Sequence, residues 1–376
     1  MRAAWNNATR SYAYLLRHKG TFPMRRRKLP IVCLACVFAA GLGWTALSIA
    51  GQPDNTAPPP ARSVALPSQQ PEGRAIDAAR FADTLAPDAQ HRLLIKVETL
   101  LDRAHFAPGV IDGTPGENLH NALAAYAQAH GLPTEGTVTE QIFNALSQAD
   151  KAPITQDYTI TAEDEKGPFI GSVPNDFAKL AQLKHVGYRS VEQELAERFH
   201  MSEGLLRALN PSADFGKPGT SILVVRPGNG DLAADVARLE VDKSANQLRV
   251  FDNAGTLIAV FPATVGSTDR PAPSGHWAIK SVTFNPTYVY DPKVLTFGPK
   301  RKGVLKIAPG PNNPAGLVWI DLTKATYGIH GAPDPELVGK AASHGCVRLT
   351  NWDAVVLGHA VKADTPVIFV GQETKG

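Results

Sequence analysis

Cysteine and methionine are scarce in this chain of 376 residues, at three each. Two of the cysteines, Cys33 and Cys36, lie inside an apolar run, so Cys346 stands alone beyond it and has no intramolecular disulfide partner. The single Cys-x-x-Cys, Cys33 to Cys36, lies inside that apolar run and His-Glu-x-x-His spacing does not occur, so no metal or cofactor is expected. The serine-hydrolase elbow is missing too, and the histidine of interest precedes the cysteine, opposite to the papain-like order. Charge is modest, 19% of residues with a net +3, which argues against a chain built to coat nucleic acid. No acidic residue occurs before Asp54, whereas Arg2, Arg10, Arg17, Lys19, Arg25, Arg26, Arg27 and Lys28 all do.

Directly after those cations runs PIVCLACVFAAGLGWTALSIA, Pro30 to Ala50, uncharged and long enough to cross a bilayer core of roughly 30 Å as a helix. Basic residues before it place 1–29 in the cytoplasm and everything after Gly51 outside, in the periplasm or an equivalent extracytoplasmic space. Two readings stay open for 30–50: a retained inner-membrane anchor, or a signal peptide cleaved near Ala50, with Met24 as an alternative start. Residues 51–87, rich in proline at first, read as a spacer, because QPDNTAPPPARSVALPSQQPEGR has no apolar periodicity with which to build a core.

From 88 to 150 the pattern is helical: Leu94, Val97 and Leu101 share a face, then Leu119, Leu123 and Tyr126, then Ile142, Phe143 and Leu146. Pro108-Gly109, Asp112-Gly113, Gly131 and Gly136 punctuate three short helices. The string FAPGVIDGTPGENLHNALAAYAQAHGLPTEGTVTEQIFNAL resembles the three-helix peptidoglycan-binding domain, which implies a glycan-strand partner. An unrelated helical spacer has the same apolar spacing. From 186 to 226 the sequence reads as strand, helix, helix, strand, and its RALNP turn resembles a LysM-type glycan-binding module; a plain packing domain fits equally.

After Asp231 the periodicity shortens. VARLEVD, QLRVFDN, TLIAVFPATVG, GHWAIKSV, LVWIDL, YGIHG and TPVIFV alternate with turn residues, favouring a sandwich or barrel over a doubly wound sheet. One helix is expected near 351–361, with Thr350 as its cap. The whole is a multidomain α+β chain: a small three-helix domain, a small βααβ module, and a mostly-β sandwich or barrel-like C-terminal domain over 236–371.

Reactive groups concentrate in Tyr327-Gly328-Ile329-His330-Gly331 and in Ser343-His344-Gly345-Cys346-Val347-Arg348-Leu349. A thiol is mostly protonated at neutral pH and needs an imidazole or a positive field to become a nucleophile. Gly345 allows a carbonyl to approach the main chain, so the Gly345 and Cys346 N–H groups are candidate oxyanion donors. Arg348 suits either lowering the thiol pKa or binding a substrate carboxylate. A buried inert cysteine is the bland alternative, but glycine, histidine and arginine surround Cys346 where a core strand carries aliphatics.

The IHG segment followed by SHGCVRLTN resembles the signature of the L,D-transpeptidase (YkuD-type) catalytic domain, and PSGHW and TPVIFV fit its extent over 236–371. The resemblance implies a sandwich-like fold in which Cys346 attacks an acyl donor and His330 takes its proton, oriented by the Gly331 carbonyl. It implies further that His344, Gly345 and Cys346 frame an oxyanion hole, that Ser343 and Arg348 support loop and substrate, and that Tyr288, Tyr290 and Tyr327 line a donor groove. The implied substrates are peptidoglycan stem peptides, with an amine, water or a wall-attached protein as acceptor. Ala332 and Tyr288 depart from the usual hydroxyl residue and tryptophan, leaving the fine substrate contacts open.

Overall fold

Alternation of buried and exposed residues decides the C-terminal architecture. In the computed structural model, which describes residues 66–372 except 229, 233, 267–270, 294, 296–302 and 341–344, the upstream part is helical. It comprises α1 (Pro71–Ala78), α2 (Pro87–Arg103), α3 (Glu117–Ala129), α4 (Glu140–Ala149), β1 (Thr155–Thr159), α5 (Ala162–Lys166), α6 (Phe177–Leu180), α7 (Val191–Arg198), α8 (Glu203–Leu209) and β2 (Ser221–Val225). The sheet-rich part follows as β3 (Arg238–Asp242), β4 (Gln247–Phe251), β5 (Leu257–Pro262), β6 (Thr264–Val265), β7 (Gly275–Phe284), β8 (Tyr288–Tyr290), β9 (Leu305–Ile307), β10 (Val318–Leu322), β11 (Gly328–Gly331), β12 (Val347–Leu349), α9 (Asn351–Ala360) and β13 (Pro366–Val370).

Nine strands form one sheet in the order β5-β4-β3-β13-β7-β10-β11-β12-β6. Its two edge strands, β5 and β6, are separated in sequence by Ala263 alone, so the sheet has to curl until its edges nearly meet. The result is a nearly closed barrel, as the short alternating strands imply. Its interior is filled by the inward residues of each strand, among them Leu239, Val250, Phe261, Ile279, Ile320, Ile329 and Phe369. Helix α9 packs Ala354 and Leu357 into this core, and its Thr350 hydroxyl accepts from the Asp353 N–H at 3.1 Å, as the capping residue predicts.

The upstream helices and the 186–226 segment do not have separate interiors. Leu94, Ile111, Tyr126 and Phe143 share one cluster with Leu195, Phe199, Leu206 and Val224. That cluster also reaches Val260 of β5, where the 105–107 segment adds to the sheet edge: Ala107 N–H donates to the Val260 carbonyl and Val260 N–H to the His105 carbonyl, both at 2.8 Å. An exposed edge strand is thereby covered.

Two sequence expectations give way here. VGYRS, read as a strand, is not one: Val186 N–H donates to the Pro309 carbonyl, and the Tyr188 carbonyl accepts from Ile170 N–H, so loops claim its backbone groups. The partner of β2 is β1, antiparallel with Thr155 opposite Val225. Part of the expected 51–87 spacer is also ordered as α1, because Ile76 is fully buried and Glu72 pairs with Arg92 of α2 at 2.7 Å. Among the described residues no helix is long and apolar enough to cross a membrane; the expected anchor or signal segment, 30–50, lies outside them.

Candidate active site

Sheet register brings the reactive residues to one face. His330 of β11 lies opposite Trp319 on one side and Arg348 on the other, and Trp319 lies opposite Thr283 of β7. Period-two alternation sends Ile320, Ile329 and Val347 inward and this row outward. Cys346 precedes Arg348 by two residues and so projects on the same face, diagonal to His330. His330, Cys346, Arg348, Trp319, Tyr288 and Tyr327 all line one cavity of about 890 Å³.

His330 is buried, and its Nδ1 lies 2.7 Å from the Gly331 carbonyl. The carbonyl can only accept, so Nδ1 carries the proton and Nε2 is left as the basic nitrogen. The Trp319 ring stacks on the imidazole with centroids 5.4 Å apart. A side chain at Gly328 would meet that indole at 2.5 Å, which explains the glycine two residues before the histidine. Burial, reinforced by the Arg348 cation, lowers the His330 pKa to about 4 against the opposing pull of the Gly331 carbonyl. Burial also pushes the Cys346 thiol above its ordinary value, while a backbone hydrogen bond from Gly328 and the charge of Arg348 pull it down. At neutral pH the two groups therefore rest as thiol and neutral imidazole.

Gly345 has φ 111°, a conformation that L side chains rarely adopt, and an added Cβ would meet the Tyr327 ring at 2.9 Å. Tyr327 thus covers the turn that presents Cys346. Tyr288 reaches the cavity, and burial raises its phenol to about 12, so it remains a neutral hydrogen-bonding group. Tyr290 does not line the cavity, contrary to expectation: it is 2% exposed and its ring meets Phe177 of α6 at 5.4 Å. Ser343 and His344 lie outside the described residues. Sequence reasoning missed Trp319, whose only signal was its alternation within LVWIDL, and Phe177, which enters the cavity wall from far upstream.

Residues 237–369 match the family model of the YkuD-type L,D-transpeptidase catalytic domain. The putative L,D-transpeptidase YqjB of Bacillus subtilis is 32% identical over 135 residues, 34% of this chain and 68% of that protein. The chain belongs to the L,D-transpeptidase family. Putative L,D-transpeptidase YkuD of Bacillus licheniformis is 26% identical over 175 residues, covering 46% of this L,D-transpeptidase and 90% of the relative. Probable L,D-transpeptidase YbiS of Escherichia coli K12 is 27% identical over 215 residues, 54% of this chain and 69% of that one. That match is longer than the whole stretch from 237 to the C-terminus, so the likeness continues upstream of the catalytic segment. The enzyme is an acyltransferase, and among its described residues no group of three or more His, Cys, Asp or Glu side chains is placed to hold a metal ion.

Proposed function

We propose that this L,D-transpeptidase uses Cys346 and His330 to cross-link peptidoglycan stem peptides. One observation carries the assignment of residues: both line a single cavity, with His330 Nδ1 committed to Gly331 so that Nε2 is the free base. The donor is a tetrapeptide stem, and the sulfur attacks the carbonyl of its third residue while His330 takes the thiol proton. The tetrahedral oxyanion rests on the backbone N–H groups of Gly345 and Cys346, each such donor being worth roughly 3 kcal/mol. Protonated His330 then gives its proton to the departing D-Ala nitrogen, leaving a thioester on Cys346. An amine of a second stem attacks that thioester, the same imidazole removes its proton, and a three-to-three cross-link and free thiol result.

The burial of His330 supports this sequence, because an imidazolium is costly there until the oxyanion forms beside it. The Arg348 guanidinium on the same face suits the stem's terminal carboxylate. The 88–150 helices and the 186–226 segment hold the enzyme on the wall, raising the effective concentration of stems, and the site acts outside the cytoplasm, tethered or released according to the fate of 30–50.

The test is incubation of the purified full chain, and of Cys346→Ala and His330→Ala, with disaccharide tetrapeptides, read by mass spectrometry. Dimer plus D-Ala from the wild type alone supports the proposal. Tripeptide without dimer identifies water as the acceptor and a carboxypeptidase. Dimer formation by Cys346→Ala refutes the nucleophile. No product from the wild type points instead to a protein amine as acceptor or to a wall-binding anchor.

A further inference from the structure

Asn351, the first residue of α9, is fully buried between the barrel and the upstream segment. Its Oδ1 accepts from Leu317 N–H at 3.0 Å, and its Nδ2 donates to the Pro311 carbonyl at 3.1 Å and to Glu197 Oε1 at 3.0 Å. The same amide is wedged between two glycines. A Cβ on Gly331 would lie 2.3 Å from Asn351 Oδ1, and one on Gly316 would lie 2.2 Å from it. The side chain therefore fixes the backbone whose carbonyl, at Gly331, accepts the His330 Nδ1 proton. Glu197 belongs to α7, is 7% exposed, and also accepts from the Tyr188 hydroxyl at 3.1 Å. One turn earlier, Gln193 exchanges hydrogen bonds with Asn312, so α7 grips the 311–317 loop at a second point.

We infer that Glu197 is a positioning residue for acyl transfer: through Asn351 it holds Gly331, and hence the Nδ1–H tautomer of His330, making the upstream module part of the catalytic apparatus. A carboxyl in a packing module has no need to reach this amide. An aliphatic residue would fill the volume without orienting it, whereas an Asn with one N–H unpartnered can rotate and release Leu317 and Gly331. The inference rests on His330 being the base, and its test separates the two.

The full chain is compared with Glu197→Ala, Glu197→Asp, Glu197→Gln and Leu195→Ala, the last lying in α7 and destabilising it without touching Asn351. Glu197→Ala should lower kcat by about 10- to 100-fold with KM nearly unchanged, the pattern of a lost transition-state alignment. Glu197→Asp, whose carboxyl is drawn back from the amide, should behave alike if the alanine variant does not fold. Glu197→Gln keeps an oxygen acceptor for Asn351 and should retain kcat within about threefold. Nitrogen-15 NMR of His330 should show the Nδ1–H tautomer in the wild type and Glu197→Gln, and a mixture in Glu197→Ala. That readout needs no turnover, so it tests the coupling even if His330→Ala proves active and the catalytic reading fails. An unchanged tautomer and kcat in Glu197→Ala or Glu197→Asp overturns the inference. So does an equal loss of kcat in Leu195→Ala at matched melting temperature, which would reduce Glu197 to a packing role.

Discussion

Acidifying the assay tests the buried His330 beside the Cys346 thiol most directly. A solvated imidazole has its ordinary pKa at 6.5, and His330 is held at about 4. The difference is worth about 3 kcal/mol against the imidazolium, at about 1.4 kcal/mol per tenfold. Near pH 5.5, then, an ordinary histidine is about nine-tenths protonated while His330 is about 3% protonated. Because the base must be neutral to accept the thiol proton, kcat/KM should stay flat as pH falls from 7 and drop only toward about 4. Burial is the larger cause and Arg348 the second, so Arg348→Gln should move the acid limb upward but short of 6.5. The absolute rate of that variant can fall through substrate contacts; the position of the limb reports the electrostatics alone. Measuring kcat/KM for cross-linking across this range, with folding followed by circular dichroism, gives the answer. A wild-type limb at 6.5, or a limb that ignores Arg348→Gln, would refute a desolvated neutral His330.

The thiol makes the complementary prediction: alkylation of Cys346 by iodoacetamide should be slow at neutral pH and still rising above about pH 10, where an ordinary thiol is almost fully ionised and its rate has levelled, because burial raises its pKa. Stability should carry the mark of Glu197, whose carboxyl is raised from 4.5 to about 7. Its folded form holds a proton that the unfolded chain has released, so this contribution is present below 4.5 and is lost as pH climbs through about 7. Glu197→Gln should therefore flatten the fall in melting temperature over that window, and an unchanged slope by calorimetry would contradict the buried acid. Gly328→Ala should cost about 1–3 kcal/mol and reduce kcat, since its methyl would meet the Trp319 ring at 2.5 Å and displace it from His330. A fully active, equally stable Gly328→Ala would show that the indole does not position the histidine.

What the sequence determined by itself was local. Alternation is a property of consecutive residues, so VARLEVD, QLRVFDN, GHWAIKSV and TPVIFV announce β3, β4, β7 and β13, and Thr350 announces α9. That Cys346 and His330 belong to a cavity and not to the core interior was legible for the same reason: glycine, histidine and arginine do not crowd a cysteine in an ordinary core strand. Tertiary structure decided what depends on partners distant in sequence. The parallel pairing of β11 with β12 puts His330 and Cys346 on one face, and no local pattern specifies it. Burial of Tyr290 beneath Phe177, the choice of β1 over 186–190 as the partner of β2, and the single core shared by the upstream helices and the 186–226 segment follow from long-range packing. The bond from Glu197 to Asn351 spans 154 positions, and only folding brings that carboxyl to that amide. Periodicity records which side of an element is apolar; it carries no address for the surface that will cover it.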